Sequence, residues 1–255
     1  MKIATWNVNS LKVRLPQVLD WLKAQQPDVL CLQETKMQDG DFFRSEIEAA
    51  GYHVEFSGQK TYNGVAILSR NAGSDRLTEV PGFEDPQRRV LAANYGDLRM
   101  VCLYVPNGQS VESDKYQYKL AWLTAVTAWL KQELEMWPLL AVVGDFNIAP
   151  EECDVHDPAR WEGQVLFSAP ERKAFQELLA IGLKDSFRLF EQPAQSYTWW
   201  DYRMNAFKRK MGLRIDHILL SAPLAAACRG CHIDLAPRMA ERPSDHAPVW
   251  ADIDR

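Results

Sequence analysis

Five short polar stretches interrupt the apolar runs of this 255-residue chain, and they carry the side chains that could do chemistry. They are Asn7-Val8-Asn9, Gln33-Glu34-Thr35-Lys36, Gly144-Asp145-Phe146-Asn147, Arg214-Ile215-Asp216-His217 and Ser244-Asp245-His246. Each follows, or lies within, an apolar run that reads as a buried strand. A carboxylate in such a place must be solvated, paired or metal-bound. Glu34, Asp145, Asp216 and Asp245 all stand there. Mg²⁺ favours oxygen ligands, usually one or two carboxylates completed by water and a substrate phosphate. The set is the kit of a metal-assisted phosphodiesterase.

Spacing within the stretches adds detail. Period-two alternation puts Asp145 and Asn147 on one side of an extended chain, so a carboxylate and a carboxamide point at one spot. Asn7 and Asn9 share that spacing. The competing reading is turn chemistry, since Asn and Asp favour strand ends. Glu34 has Lys36 two residues on as a charge partner. Asp216 sits inside the run from Leu213 to Leu220 and needs a partner there; His246 is the natural one. Such a pair orients the imidazole and raises its pKa, so that a cationic His246 can hold a phosphate oxygen. No G-x-S-x-G elbow and no Walker phosphate loop occurs, which disfavours serine hydrolysis and ATP hydrolysis.

The elements that must position these residues are strand-rich. Lys2 to Trp6 reads as a strand, followed by a helix starting at Pro16 and a strand from Val29 to Leu32. Val54 to Phe56 and Val65 to Leu68 are short strands around the turn-like Thr61-Tyr62-Asn63-Gly64. Val90 to Tyr95 and Leu98 to Val105 flank Gly96-Asp97, a hairpin signal. Tyr116 to Met136 is a long amphipathic helix with Leu123, Val126, Leu130 and Leu134 on one face. Leu139 to Val143 leads into Gly144-Asp145. Ser168 and Glu171 form a capping box with Pro170 in the first turn, and that helix stops at Gly182. Ile215 to Leu220 and Val249 to Ile253 close the chain. Hairpins among the strands argue against a purely parallel sheet; two mixed sheets covered by helices fit better. No linker or low-complexity stretch appears, so one domain over residues 1–255 is expected. Glu34 and Asp145 each end an apolar strand in opposite halves, which points to two similar halves meeting at one site.

Bulk composition is that of a globular chain, 47% hydrophobic, with a net charge of −5. That charge is unpromising for a nucleic-acid binder, but a carboxylate cluster accounts for part of it. Its distribution says more. From Arg203 to Arg214 stand Arg203, Lys208, Arg209, Lys210 and Arg214 with no acid among them, near Tyr197, Trp199, Trp200, Tyr202 and Phe207. Cations beside aromatics suit phosphate contact with base or sugar stacking. The alternative is a solvated loop over a small satellite core. There is no apolar run long enough to span a membrane and no secretory signal, so a cytoplasmic protein is expected. Of the five cysteines, Cys31 and Cys102 lie in apolar strands, while Cys228-Arg229-Gly230-Cys231 lacks the second pair a zinc site wants and reads as surface thiols.

Six segments taken in order resemble the exonuclease III family of abasic-site endonucleases. They are Thr5 to Asn9, Leu32 to Lys36, Leu103-Tyr104-Val105-Pro106-Asn107, Gly144 to Asn147, Gly212 to Asp216 and Ser244 to Pro248, and they run along nearly the whole chain. The resemblance implies a four-layered α/β sandwich of the DNase I type, two mixed sheets flanked by helices. It implies Glu34 as main Mg²⁺ ligand, with Mn²⁺ as the alternative ion, and Asn9, Asp245, Asp145 and Asn147 near the metal or its waters. Asp145 would activate the attacking water and Asn7 orient it. His246, held by Asp216, would bind the scissile phosphate; Tyr104 and Asn107 would contact phosphate. Trp199, Leu213 and Ile215 match the apolar pocket for a baseless, flipped-out sugar, and Arg203 belongs to the DNA face. The implied substrate is double-stranded DNA carrying abasic sites or damaged 3′ ends, with no nucleotide cofactor and a monomeric enzyme.

Two positions qualify this expectation. Asn9 stands where some relatives have aspartate, which weakens one metal contact. Leu166-Phe167 lies in a segment near the pocket; if either side chain projects inward, lesion cleavage weakens while 3′ trimming survives. Rival readings are another phosphodiesterase on the same fold, acting on inositol phosphates or sphingomyelin, and a non-catalytic nucleic-acid-binding regulator. The basic-aromatic run argues against the first. The intact set Glu34, Asp145, Asp216, Asp245 and His246 argues against the second.

Overall fold

The computed structural model describes residues 1–255. The chain opens with β1 (Lys2–Asn7), α1 (Leu11–Gln25), β2 (Val29–Gln33), α2 (Arg44–Ala49), β3 (His53–Ser57) and β4 (Val65–Ser69). It continues through β5 (Ser74–Leu77), β6 (Val90–Tyr95), β7 (Leu98–Tyr104), α3 (Asp114–Met136), β8 (Leu140–Asp145), α4 (Pro158–Trp161) and α5 (Ala169–Ala180). It closes with β9 (Lys184–Asp185), β10 (Asp216–Leu220), α6 (Ala222–Ala227), β11 (Cys228–Ile233) and β12 (Val249–Ile253).

The strands form two six-stranded sheets, ordered β11-β12-β1-β2-β4-β3 and β5-β6-β7-β8-β10-β9. Each sheet is mixed. A central parallel pair, β1/β2 in one and β7/β8 in the other, is flanked by antiparallel neighbours. Each parallel pair is joined by a crossover helix, α1 or α3. The two orders match strand for strand, so the expected likeness of two halves is present in the topology. β11 and β12 complete the first sheet from the far end of the chain.

Burial on both faces explains why the strands read as nearly continuous apolar runs. Ile3, Val29, Cys31, Met100, Cys102, Ala141, Val143 and Ile218 point between the sheets. Ala4, Leu30, Leu32 and Leu68 point out, under Leu11, Val18, Trp21 and Leu22 of α1. On the far side Val101, Leu103 and Val142 face Trp122, Leu123, Val126 and Leu130 of α3 and Phe175 and Leu178 of α5. The result is helix, sheet, sheet, helix: the four-layered sandwich.

Several local expectations need correction. α1 begins at Leu11, not Pro16, because the Glu34 and Thr35 carbonyls accept the Ser10 and Leu11 N–H groups and start the helix early. Pro16 is therefore inside the helix, where it removes one donor. β5, β9 and β11 and the short α2, α4 and α6 were not apparent in the sequence. Cys228 and Cys231 are buried in β11 rather than on the surface. By contrast, the Ser168–Glu171 capping box forms with both reciprocal bonds, and Tyr95 pairs with Leu98 across the Gly96-Asp97 turn.

Candidate active site

Parallel pairing brings the carboxyl ends of β1, β2, β7 and β8 to one end of the sandwich, the usual place for a ligand in such sheets. Asn7 ends β1, Glu34 follows β2, Tyr104 ends β7 and Asp145 ends β8. Two antiparallel strands reach the same end from the other direction. Asp216 opens β10 opposite Asp145, and His246 lies just before β12, bridged to Trp199.

Asn7 is the junction of the two halves. Its buried carboxamide donates to Glu34 Oε1 at 2.9 Å and to Asp145 Oδ2 at 2.9 Å. Its Oδ1 accepts the Asn9 N–H at 2.9 Å. A ligand atom from each of Glu34, Asp145 and His246 falls within 4.8 Å of the others. His246 Nδ1 donates to Asp216 Oδ2 at 2.8 Å, and its Nε2 is 3.8 Å from Asp145 Oδ2. Thr198 Oγ1 accepts the Ile215 and Asp216 N–H groups and so fixes where Asp216 stands.

The Asp145-Asn147 pair converges, but through a turn and not an extended chain. Asn147 has φ of 49°, and its N–H donates to Asp145 Oδ1 at 2.9 Å. Asn9, with φ of 43°, repeats the arrangement on Asn7. Both readings of these motifs therefore hold: the turns are real and they also aim side chains into the site. Asn147 Nδ2 donates to the Val105 carbonyl at 2.9 Å, and Asn107 Nδ2 donates to Asn147 Oδ1 at 3.0 Å.

Burial and the two neighbouring acids pull the ionisable groups in different directions. Burial pushes Asp145 up to about 7, with Asp216 adding to the rise and His246 and Asn7 opposing it. For His246 burial disfavours the charged ring, yet Asp216 and Asp145 prevail and hold it up to about 10. Glu34 is raised by burial but brought below its ordinary value by Lys36 and Asn7. Burial, with Glu34 and Asp145 adding, lifts the Tyr104 hydroxyl well above its ordinary value, so it remains a proton donor.

The donors fit a hard cation. A protonated His246 has no free lone pair, which leaves oxygens: Glu34, Asp145 and the Asn9 carboxamide. Lys36 Nζ lies 2.9 Å from Glu34 Oε2 and 2.5 Å from Asn9 Oδ1, so an ammonium already bridges two of these oxygens. Asp245 is set slightly apart, accepting from Asn9 Nδ2 at 2.9 Å and from Trp199 Nε1 at 3.0 Å.

Other expected residues fall elsewhere. Leu213 and Ile215 are buried. They pack with Leu166 and Phe167, and each of the four is at most 5% exposed. Trp199 flanks that cluster and spends its indole N–H on Asp245. Arg214 is not on the DNA face: it is buried, donating to Asp154 at 2.6 Å and paired with Asp185 at 2.8 Å. Tyr197 and Trp200 are buried too. Arg203 is exposed beside Asp201, with Lys208, Arg209 and Lys210 exposed on the same segment. Lys119, buried among the loops under Asn107 and Asn147, was missed. Its signal was present: with Tyr116, Leu123, Val126 and Leu130 it keeps the core-facing spacing of α3.

Fold and site together define a nuclease-type phosphodiesterase scaffold, and the chain belongs to the Endonuclease/Exonuclease/phosphatase family, whose model matches residues 4–246. Within it the chain falls in the exonuclease III branch. It is 36% identical to exodeoxyribonuclease III of Haemophilus influenzae over 99% of this chain and 100% of that protein. A 3′ phosphatase from Neisseria, solved with a product DNA hairpin, has 47% identity and a TM-score of 0.98 over 100% of both chains. An AP endonuclease from Archaeoglobus fulgidus has 39% identity and a TM-score of 0.97, again over 100% of both chains.

Proposed function

We propose that this protein is a Mg²⁺-dependent DNA repair hydrolase that cuts phosphodiester bonds at abasic sites and at damaged 3′ ends. The observation that carries this is the single Asn7 carboxamide bonded to both Glu34 and Asp145, with Asp216-held His246 beside them. Glu34, Asn9 and Asp245 would hold the ion, with Asp145 and Asn147 at its edge. Bound there, Mg²⁺ would stabilise negative charge developing on the phosphate. Asp145, near neutral in its affinity for protons, takes a proton from the attacking water, and Asn7 keeps the carboxylate aimed. His246 gives its Nε2–H to a non-bridging phosphate oxygen, and Asp216 keeps the ring charged and oriented. Asn107, Asn147 and Tyr104 donate to phosphate or to the departing oxygen. Attack in line on the phosphorus 5′ to a lesion leaves a 3′-hydroxyl and a 5′-deoxyribose phosphate. A single domain acting as a monomer suffices, since one chain supplies every group named. No helix is long and apolar enough to cross a membrane, and a cytoplasmic location agrees with the free cysteines.

One observation favours a narrower second reading, in which 3′ trimming dominates. Leu166 and Phe167 pack against Leu213 and Ile215, the residues that would line a pocket for a baseless sugar. Similar structures include both a 3′ phosphatase and an AP endonuclease, so both readings stay within the range of related proteins. The test compares an internal abasic-site duplex with a recessed-3′ duplex, each with Mg²⁺ and with EDTA. Cutting of both supports the broad reading. Trimming of the 3′ end alone supports the narrow one. Binding without hydrolysis of either overturns both.

A further inference from the structure

The buried Lys119–Glu171 pair touches none of the reacting side-chain groups, yet it holds the backbone of two loops that carry them, at Asn107 and Asn147, and of a third that carries Leu166. Lys119 Nζ donates to the Asn147 carbonyl at 2.6 Å, to the Asn107 carbonyl at 3.2 Å and to Glu171 Oε1 at 2.5 Å. Glu171 in turn accepts the Leu166 N–H at 3.0 Å, the Ser168 N–H at 3.1 Å and the Ser168 hydroxyl at 2.5 Å. Both side chains are fully buried.

The backbone they hold is strained. Leu166 has φ of 78°, while Asn147, with φ of 49°, is of a type that adopts this region readily. A branched residue with positive φ is an outlier that persists only where its surroundings enforce it. The Ala149 N–H donates to the Leu166 carbonyl at 2.8 Å, joining the Leu166 and Asn147 segments directly. Packing closes the remaining freedom: a Cβ at Gly108 would lie 3.2 Å from Val165 and 3.3 Å from the Lys119 chain.

From these contacts we infer that Lys119 and Glu171 are positioning residues that set substrate choice, holding the Leu166 wall against Leu213 and Ile215 and the Asn107–Asn147 pair at one fixed spacing. This rests on the phosphodiesterase reading above. With the pair gone, Leu166 relaxes out of its left-handed conformation, the wall withdraws and the space for a baseless sugar opens, while Asn147 loses its anchor.

The test uses the double variant Lys119→Met/Glu171→Gln, which avoids leaving one buried charge alone. The ratio of kcat/KM on the abasic duplex to kcat/KM on the recessed 3′ end should rise about tenfold, an ordinary transition-state difference. Both kcat values should fall, and Lys119→Arg should restore part of the wild-type ratio. An unchanged ratio, with both activities lowered equally, overturns the inference. Hydrogen exchange of the wild type gives an arm that needs no variant. The Leu166 and Ser168 amides should be as protected as those of β8; rapid exchange there overturns the inference as well. A wild type inactive on both duplexes would instead overturn the functional reading and leave the exchange result to judge the clamp.

Discussion

Asp145 and His246 exchange roles relative to their free amino acids: an acid that holds its proton to about 7 and a base that keeps its own to about 10. Burial raises the acid, with Asp216 adding to it, while Asp216 and Asp145 together outweigh burial at the imidazole. Replacing Asp216 by Asn removes the nearer of the two. In metal-free protein the His246 ring should then titrate at clearly lower pH, as followed by NMR of its ring protons. The alkaline limit of activity should move down with it. An unchanged ring pKa would mean that Asp216 does not hold the charge. Asp145→Asn keeps the shape but cannot accept a proton. It should lower kcat by about 10²–10⁴, the usual worth of a positioned base, while binding of the abasic duplex measured by fluorescence anisotropy is retained. Residual activity within tenfold of wild type would move the role of base to another group.

Gly144 shows how an element constrains the chemistry at its end. It sits in β8 with φ of 151°, and a Cβ there would meet the Leu103 carbonyl oxygen at 1.9 Å. The close passage of β7 and β8 is what lets Val105 N–H bond to the Asp145 carbonyl at 2.9 Å and carries Asp145 to the site. Gly144→Ala must push the two strands apart. It should destabilise by about 3 kcal/mol or more, the scale of overpacking combined with backbone strain, read as a lowered denaturation midpoint. A variant as stable and as active as wild type would show that the strands slide apart freely. The sequence displayed this element well: Leu139 to Val143 was apolar and ended at Gly144. It did not display β5 or β11, because Ser74-Asp75-Arg76-Leu77 and Cys228-Arg229-Gly230-Cys231 lack clear alternation. They are strands because the edge of a neighbouring sheet offers them hydrogen bonds.

Stability of the whole molecule should carry the signature of a buried neutral histidine. His217 is held well below its ordinary value of 6.5 by burial and by the Arg214 guanidinium, with Nε2 donating to the Ile148 carbonyl. The unfolded chain protonates this ring as pH falls below about 6.5 and the folded chain does not. Its contribution is therefore complete above that pH and is lost below it, by up to about 1.4 kcal/mol per pH unit. Asp145, raised to about 7, acts in the opposite sense between 3.8 and 7, so the measurement is a difference. Urea unfolding of wild type and His217→Gln between pH 5 and 7.5 should show wild type losing more on acidification. Parallel curves would mean the ring is charged in the fold.

Binding of DNA is the other property of the whole surface. The chain carries a net charge of −5, and with Arg214 and its partners buried, the exposed Lys208, Arg209 and Lys210 remain for phosphate contact. Lys208→Ala/Lys210→Ala should lower the slope of log K against log salt by about 2, one counterion for each lost contact. No change in slope would place the duplex away from this segment.

Local patterning along the chain was enough to read the family, the sandwich and most of the polar residues gathered at one end of it, since strand ends, caps and turns are written within a few neighbouring residues. Asn7, Glu34, Asp145, Asp216 and His246 were visible because a polar side chain at the end of an apolar run stands out wherever it occurs. Charge alone, however, does not say which way a side chain faces. Arg214 looked like a DNA contact and is a buried partner of Asp154 and Asp185. Lys119 belongs to no motif in the sequence and lies under three loops. Leu213 and Ile215 looked like the walls of a pocket and are covered by Leu166 and Phe167. Each of these outcomes depends on segments tens of residues apart meeting in space, where burial, and not sequence neighbourhood, assigns every polar group its partner and every apolar group its cover.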